Sequence, residues 1–163
     1  LSVPQLWNHC LKTAMAAKRL ARYEKLSNEQ AEAAFVSGLL HDIGKLVLAA
    51  NADSDYDVAI KRSTEEGLPL EVMEQVVFGA THAQVGAYLL GLWGLPDVVV
   101  ETVEAHHSLE MLAPSQGFSI ATAVHVGQCL EPASDRLVDL DHDYLKRIGV
   151  EEHIGAWQQL LTS

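Results

Sequence analysis

The sequence contains few of the residues that define several common classes of protein. It has only two cysteines, Cys10 and Cys129, in 163 residues. That number is too small for a disulfide framework and favours reduced thiols in a cytoplasmic protein. Aromatic residues make up only 6% of the chain, whereas 48% of it is hydrophobic. Alanine, leucine and valine therefore supply most of the apolar surface, and this composition favours closely packed helices.

Positive charge is also scarce, with 11 lysines and arginines against 22 aspartates and glutamates, for a net charge of -11. Binding to nucleic acid phosphates or to an anionic membrane requires a basic surface, so we expect neither partner. A small phosphorylated ligand stays compatible with this charge, because a bound cation reverses the local potential.

No apolar run is expected to approach the roughly 20 residues of a membrane span, and we find no signal peptide. The chain begins at Leu1 rather than at a methionine, and we expect it to be a fragment of a longer protein. Its length predicts one domain with a substantial core.

Helical periodicity and capping signals divide the chain into about nine helices without a convincing strand, so the predicted fold class is all-α. Ser27 and Gln30 have the form of a capping box before a helix that runs to about Leu40. Thr81 and Asp97 are predicted N-caps of two later helices. Further helices are predicted over 3–24, 45–50, 53–66, 70–78, 82–93 and 119–130, and two short ones begin at Asp141 and Glu151.

Glycines are expected to shape two of these helices. Gly44 would permit a sharp exit from the helix that ends near His41. Gly86 and Gly91 would allow a neighbouring backbone to approach the helix over 82–93 closely.

The segment His41-Asp42-Ile43-Gly44-Lys45 places ionisable residues between two apolar runs. Burying a carboxylate and an imidazole there is costly unless something compensates for the lost hydration. A metal ion is the obvious compensation. Lys45 lies one turn beyond the pair, where it either holds a phosphate oxygen or orients Asp42, or simply forms a structural ion pair with Asp42.

Four further histidines, His9, His82, His106 and His107, lie beside the apolar face or at the end of a predicted core helix. Each has an ordinary explanation when taken alone. His9 suits a helix interface, and His106 and His107 suit the negative end of a helix dipole. His82 begins a helix, where the dipole favours the neutral imidazole that ligates metals. Because all four share such a position, we hypothesise that they converge on His41 and Asp42.

Five imidazoles and one carboxylate exceed the need of a single tetrahedral zinc site. This donor set suits two ions that favour octahedral coordination, such as Fe, Mn or Co, bridged by Asp42. The predicted cofactor is therefore a divalent transition metal, as one or two ions of Fe, Mn, Co or Zn. A pair of such ions can clamp a phosphate and activate water, so the implied chemistry is hydrolysis of a phosphoester.

At these residues the chain resembles the HD superfamily of metal-dependent phosphohydrolases, which are all-helical proteins. Within that superfamily it most resembles the HDOD family of output domains in bacterial signalling proteins. The resemblance covers most of residues 5–130 and is carried by four segments: LWNHC (6–10), AFVSGLLHDIGKLVL (34–48), GATHAQVGAYLLGLWGLP (79–96) and EAHHS (104–108).

The resemblance implies one compact HD-type helical bundle over 1–163, with a C-terminal helical extension over 131–163 that follows a polar linker. It implies an upstream receiver or other sensor domain, and a nucleotide or cyclic dinucleotide as ligand. It also implies catalytic roles for Asp42 and Lys45. The positions that match the metal ligands of the cyclic-di-GMP phosphodiesterase branch are His9, His41, Asp42, His82, His106 and His107.

Two departures from the superfamily pattern bear on activity. Gln128 stands where a late helix supplies an aspartate ligand, and His125, one turn earlier, is either a substitute ligand or a core histidine. The Gly-Tyr-Pro motif of the phosphodiesterase branch is missing after His107, where the chain reads SLEMLAPSQG. Three hypotheses follow: a signalling output module that binds metal with little or no turnover, an active metal-dependent phosphohydrolase, and a helical scaffold with incidental histidines.

Overall fold

A computed structural model describes residues 1–112, 117–130 and 139–163. Ten α-helices and two short 3-10 helices are present in these ranges, and the ranges contain no strand, which confirms the all-α prediction. Most of the predicted linker lies outside the described residues. The α-helices are α1 (Val3–Tyr23), α2 (Asn28–Leu40), α3 (Ile43–Asn51), α4 (Asp53–Glu66), α5 (Leu70–Phe78), α6 (His82–Leu92), α7 (Asp97–Ala105), α8 (Ile120–Leu130), α9 (His142–Arg147) and α10 (Ile154–Thr162).

Polar side chains fix the starts of several helices. The Ser27 hydroxyl accepts from the Gln30 backbone N–H and the Gln30 side chain accepts from that of Ser27, so the predicted capping box is confirmed. Thr81 caps α6 in the same way. The cap predicted at Asp97 is wrong, because Pro96 occupies that position and Asp97 is the first residue of α7. With φ fixed near -56° and ψ at 141°, Pro96 turns an extended chain into the helix.

The core is built largely from small side chains around α1, which packs against α2 and α8. Ala14, Ala17 and Ala21 are fully buried on α1. A Cβ atom added to Gly38 of α2 would lie only 2.8 Å from the Ala14 Cα atom, so these two backbones touch. The abundance of alanine in the sequence therefore corresponds to a bundle in which helices pack at close range.

The closest backbone approach lies where α3 crosses α6. A Cβ atom on Gly44 would lie 1.9 Å from the His82 carbonyl oxygen and 2.8 Å from the Gly86 nitrogen. The sharp exit predicted for Gly44 is wrong, because Gly44 lies within α3 and has no positive φ. Its missing side chain instead brings α3 against α6. Gly86 plays the predicted part in this crossing, whereas Gly91 does not, since nothing lies within 4 Å of its added Cβ.

One stretch, Asn28–Asn51, is long and apolar enough to cross a membrane by length and composition alone. It spans 24 residues, and its most apolar window has a mean hydropathy of 1.4. The expectation that no run approaches this length is therefore wrong. In the fold the stretch is divided at His41 and Asp42 into α2 and α3, which pack on α1 and α6 respectively. Within its most apolar window, 39% is buried inside the bundle.

We predict that Gly44→Ala destabilises the fold, because the new methyl group overlaps the α6 backbone rather than a movable side chain. Overpacking of this kind costs about 1–3 kcal/mol or more of unfolding free energy, measured by urea denaturation. Gly91→Ala is the matched control, since it adds a methyl group in open space and should stabilise α6 by up to about 1 kcal/mol. Equal stability of the two variants would contradict this account of the crossing.

Candidate metal centre

The five histidines and Asp42 converge from four separate parts of the chain. His9 lies on α1, His41 and Asp42 join α2 to α3, His82 begins α6, and His106 and His107 follow α7. Around Asp42 they form two groups in which the nitrogen and oxygen donor atoms all lie within 4.8 Å of one another. The predicted convergence is thus observed. We name the groups the His9 half-site (His9, His41 and Asp42) and the His82 half-site (His82, His106, His107 and Asp42).

In the His9 half-site, two imidazoles face the Oδ2 atom of Asp42. The Nε2 atoms of His9 and His41 are 3.2 Å apart. They lie 3.7 Å and 3.4 Å from Oδ2. The Lys45 ammonium donates to the same oxygen at 2.8 Å, so the ion pair with Asp42 is formed.

In the His82 half-site, the rings face the other carboxylate oxygen, Oδ1. The His82 Nε2 atom is 3.2 Å from Oδ1 and 3.0 Å from the Nε2 atom of His107. The His106 Nε2 atom is 3.8 Å from Oδ1. Metal–ligand bonds near 2.1 Å place neighbouring donors about 3.0–3.4 Å apart, so these spacings are close to those of a coordination shell.

Helix ends determine which nitrogen of two rings faces the cluster. His41 and His106 are the C-cap residues of α2 and α7. Their Nδ1–H groups donate back to the carbonyl oxygens of Gly38, at 2.7 Å, and Val103, at 2.6 Å. A carbonyl can only accept, so Nδ1 carries the proton and the neutral ring turns its Nε2 lone pair toward Asp42. At the ends of both α2 and α7, a histidine thus donates a hydrogen bond to a carbonyl in the last helical turn.

Two buried atoms of the cluster form no hydrogen bond that meets ordinary geometric criteria, although one of them lies 3.2 Å from His82 Nε2. They are Oδ1 of Asp42 and Nε2 of His106, two of the four such side-chain atoms among the described residues. Both are electron-pair donors, and both belong to the His82 half-site. Leaving such atoms unpaired costs free energy unless a cation lies between them. The cluster is therefore capable of holding a metal ion, and its donor set fits a divalent transition metal.

The electrostatics of the cluster keep Asp42 ionised. Burial alone would raise the pKa of the Asp42 carboxyl, but His41, Lys45 and His82 together hold it well below its usual value. Burial lowers the pKa of His41 to about 4. An ionised carboxylate beside a neutral imidazole is the protonation state that binds metals.

The pKa values of the other histidines described here, His106, His107 and His82, are shifted in different directions. Burial, followed by neighbouring histidines, holds the pKa of His106 well below its usual value. Burial and the charge of His82 do the same for the pKa of His107. Burial also lowers the pKa of His82, but the carboxylates of Asp42 and Glu74 outweigh it and raise that pKa overall. The space beside His82 thus favours positive charge.

Sequence reasoning missed Glu74, which is fully buried on α5. Its Oε2 atom accepts from the His82 backbone N–H at 2.7 Å and from His82 Nδ1–H at 2.6 Å. Its Oε1 atom accepts from the Tyr56 hydroxyl at 3.2 Å. Outer carboxylates of this kind fix the orientation of histidines in metal sites. The available signal was an acidic residue directly after an apolar Val72-Met73 pair, which does not distinguish Glu74 from the partly exposed Glu71.

Gln128 and His125 on α8 bind the backbone rather than supplying donors to the two groups. The Gln128 Nε2 atom and the His125 Nδ1 atom both donate to the His106 carbonyl, each at 2.9 Å. The other ring nitrogen of His125 accepts from the Asp141 backbone N–H at 3.1 Å. His125 is thus a satisfied core histidine, the second of the two interpretations. Together these side chains anchor the carbonyl next to the His107 backbone.

A cleft of about 630 Å³ opens onto the His9 half-site. Its floor includes His9, Asp42 and Lys45. This volume lies in the range of small-molecule sites. The walls combine the amides of Gln5 and Asn8, the carboxylate of Asp57 and the apolar side chains of Leu6, Ile60 and Leu70.

The fold and the cluster define a class: an all-α domain built around a buried His–Asp site capable of holding a metal ion. The chain belongs to the HDOD domain family, whose family model matches residues 1–109. The expected family resemblance is therefore confirmed over the part of the chain that supplies all six candidate ligands.

Two curated proteins are similar in sequence. An uncharacterized protein of Treponema pallidum is 32% identical over 107 residues, which are 64% of this chain and 20% of that protein. A Mycoplasma genitalium protein named "Probable nicotinate-nucleotide adenylyltransferase/Ap4A hydrolase" is 29% identical over 127 residues, which are 77% of this chain and 32% of that protein. The chain thus spans a third or less of these relatives' lengths.

Two solved structures share the fold. An HDOD domain protein with unknown function from Geobacter sulfurreducens has a TM-score of 0.77 and 23% identity, over 99% of this chain and 58% of that one. The MmoQ response regulator from Methylococcus capsulatus has a TM-score of 0.65 and 21% identity, over 100% of this chain and 62% of that one. Both likenesses extend beyond residue 109 and cover the later helices.

We predict that Glu74→Gln lowers the free energy of unfolding by about 1–3 kcal/mol, because a neutral amide oxygen accepts more weakly than the carboxylate Oε2 atom that both buried N–H groups of His82 now contact. Urea denaturation of the metal-free protein measures this loss. Glu65→Gln is the control, since Glu65 is exposed on α4 and pairs only loosely with Lys61. A Glu74 variant as stable as the control would show that Glu74 does not support His82.

Proposed function

We propose that this chain is the output domain of a bacterial signalling protein and that it binds a divalent transition metal in the His–Asp cluster. The observation that carries the proposal is the pair of buried, unpartnered donors, Asp42 Oδ1 and His106 Nε2. A helical scaffold with incidental histidines would have satisfied these atoms with protein partners. The proposed ligands are His9, His41, Asp42, His82, His106 and His107.

Family membership supports the signalling role. The MmoQ response regulator, which shares the fold, is longer than the part that this chain matches. We propose that a receiver or another sensor domain controls the present domain as well. We propose that the protein is cytoplasmic, where the thiols of Cys10 and Cys129 would stay reduced.

A second candidate function, a metal-dependent phosphohydrolase acting on a nucleotide or cyclic dinucleotide, is favoured by the cleft. Lys45 and His9 lie on its floor beside Asp42, where an incoming phosphate would meet them. The Mycoplasma relative named as an Ap4A hydrolase also supports nucleotide chemistry. The neutral amide at Gln128, in place of the superfamily's aspartate, favours the module with little turnover.

If the protein hydrolyses phosphoesters, its residues would have separate roles in the reaction. The metal held by the cluster would polarise a phosphoryl oxygen and make water a better nucleophile. Lys45 would hold a non-bridging phosphate oxygen with its ammonium group. Gln5 and Asn8 would orient the rest of the ligand through their amides.

We predict that the protein, purified without chelator or a histidine tag, retains at least about half an equivalent of transition metal, because three buried donor residues and the partly buried His107 lie close together. Removing the metal should lower the thermal midpoint, and adding Mn²⁺ or Fe²⁺ back should restore it. At a hundred-fold excess over the dissociation constant, the restored stability would be about 2.7 kcal/mol.

His106→Ala should abolish the metal-dependent shift, because it removes an unpartnered donor. His142→Ala is the matched control, since His142 is exposed on α9 and contacts Glu151. Metal content below about half an equivalent, together with a thermal midpoint that ignores added metal, would refute the proposed function.

We predict that any hydrolysis of nucleotides or cyclic dinucleotides with added Mn²⁺ or Fe²⁺ is lost in Asp42→Ala, because that variant removes the carboxylate common to both half-sites. A panel of both substrate classes, followed by phosphate release and chromatography, measures it. Metal binding without turnover of any member would favour the signalling module. Hydrolysis that persists in Asp42→Ala would show that the reaction takes place elsewhere.

A further inference from the structure

We propose that the cluster holds a single metal ion, in the His82 half-site, and that the Lys45 ammonium takes the place of a second ion beside Asp42. This inference rests on the proposed function, because it assumes that the cluster binds metal. It replaces the two-ion arrangement that the number of donors suggested. It also assigns different roles to the two oxygens of one carboxylate.

The two half-sites are unequal in donors. The His82 half-site combines three imidazoles with Oδ1 of Asp42, and these four donors come within 4.8 Å of one another. Four nitrogen and oxygen donors complete a tetrahedral shell or leave room for water in a larger one. The His9 half-site offers two imidazoles and Oδ2 of the same carboxylate. Gln128 does not add a carboxylate to the His9 half-site, and its amide donates a hydrogen bond to the His106 carbonyl.

Lys45 already neutralises the oxygen that a second ion would need. Its Nζ atom lies 2.8 Å from Oδ2 of Asp42. The lysine is held there by its place in the first turn of α3, where its backbone N–H donates to the Asp42 carbonyl at 3.0 Å. Its side chain is 16% exposed, so the ammonium is partly removed from water and the pairing is strengthened. A divalent ion at Oδ2 would be strongly repelled by this neighbouring charge.

The unsatisfied atoms occur on one side only. Asp42 Oδ1 and His106 Nε2, which lack partners, both belong to the His82 half-site. In the His9 half-site, Oδ2 is bonded to Lys45, and the two imidazoles lie within hydrogen-bond distance of each other. His82 and His107 form a similar pair, but their contact leaves the third ring and Oδ1 unsatisfied. A cation that pairs with these two atoms would therefore lie beside Oδ1.

The balance of buried charge gives the same answer. Asp42 and Glu74 are the fully buried carboxylates that touch the cluster, whereas Glu71, 3.8 Å from His107 Nδ1, is 26% exposed; Lys45 contributes one positive charge. One divalent ion and Lys45 together carry three positive charges, which is close to the two negative charges of these carboxylates. Two divalent ions together with Lys45 would place five positive charges against those two carboxylates, an imbalance that a site removed from water does not tolerate.

Titration with Mn²⁺, followed by elemental analysis and electron paramagnetic resonance, tests the inference. The wild-type chain should bind about one ion and show the spectrum of an isolated Mn²⁺. Lys45→Met keeps the aliphatic stem but removes the ammonium, so a second ion should bind and the spectrum should show magnetic coupling between the two. Lys61→Met is the matched control, because Lys61 is 74% exposed on α4, and it should behave as wild type.

The position of the single ion is tested separately in the wild-type background, so the inference stays testable if Lys45→Met does not fold. His106→Ala should lose the ion, and His9→Ala should retain it. Loss in His9→Ala with retention in His106→Ala would overturn the assignment.

Two ions in the wild type, or one ion in a folded Lys45→Met, would also overturn the inference and leave the proposed function standing. No metal in any variant would refute the proposed function itself, and this inference with it.

Discussion

The structure depends on a carboxylate that is almost fully removed from water. Asp42 is 1% exposed, at the junction of α2 and α3. Such a charge is tolerated only where nearby groups replace the hydration that it loses. Lys45 does so at one oxygen, and imidazoles from three other parts of the chain surround both oxygens. The need to compensate this one charge explains why residues that are more than 60 positions apart in sequence meet at one point.

The scaffold that brings them together consists of small residues and helix ends. Glycine at position 44 allows α3 to touch the backbone of α6 at His82, and alanines on α1 allow α2 and α8 to approach. Carbonyls in the last turns of α2 and α7 then set the tautomers of His41 and His106. Glu74 performs that task for His82, which begins its helix and has no such carbonyl behind it. The donors are thus held in place before any metal binds.

Much of this arrangement can be predicted from the sequence. Capping residues and helical periodicity give most helix bounds, because they act locally, as at Ser27 and Thr81. The histidines are recognisable because each interrupts an apolar helix face. Glu74 and Gly44 could not be interpreted correctly, since the role of each depends on which distant backbone it meets. The hydropathy of Asn28–Asn51 was likewise ambiguous, because a core helix and a membrane helix have the same composition. Long-range contact, rather than local preference, decides these cases.

The contact of Gly44 with His82 has a mechanical consequence. The carbonyl that contacts Gly44 and the imidazole that faces Asp42 both belong to His82. This residue therefore connects the crossing of α3 and α6 to the cluster. Because the two backbones are in contact, side-chain rearrangement cannot compensate for a change in the distance between the helices. We therefore expect a change in the distance between Asp42 and His82 to shift α3 relative to α6. Metal binding at the buried cluster would then change the relative position of two helices, and that change would reach the surface of the bundle.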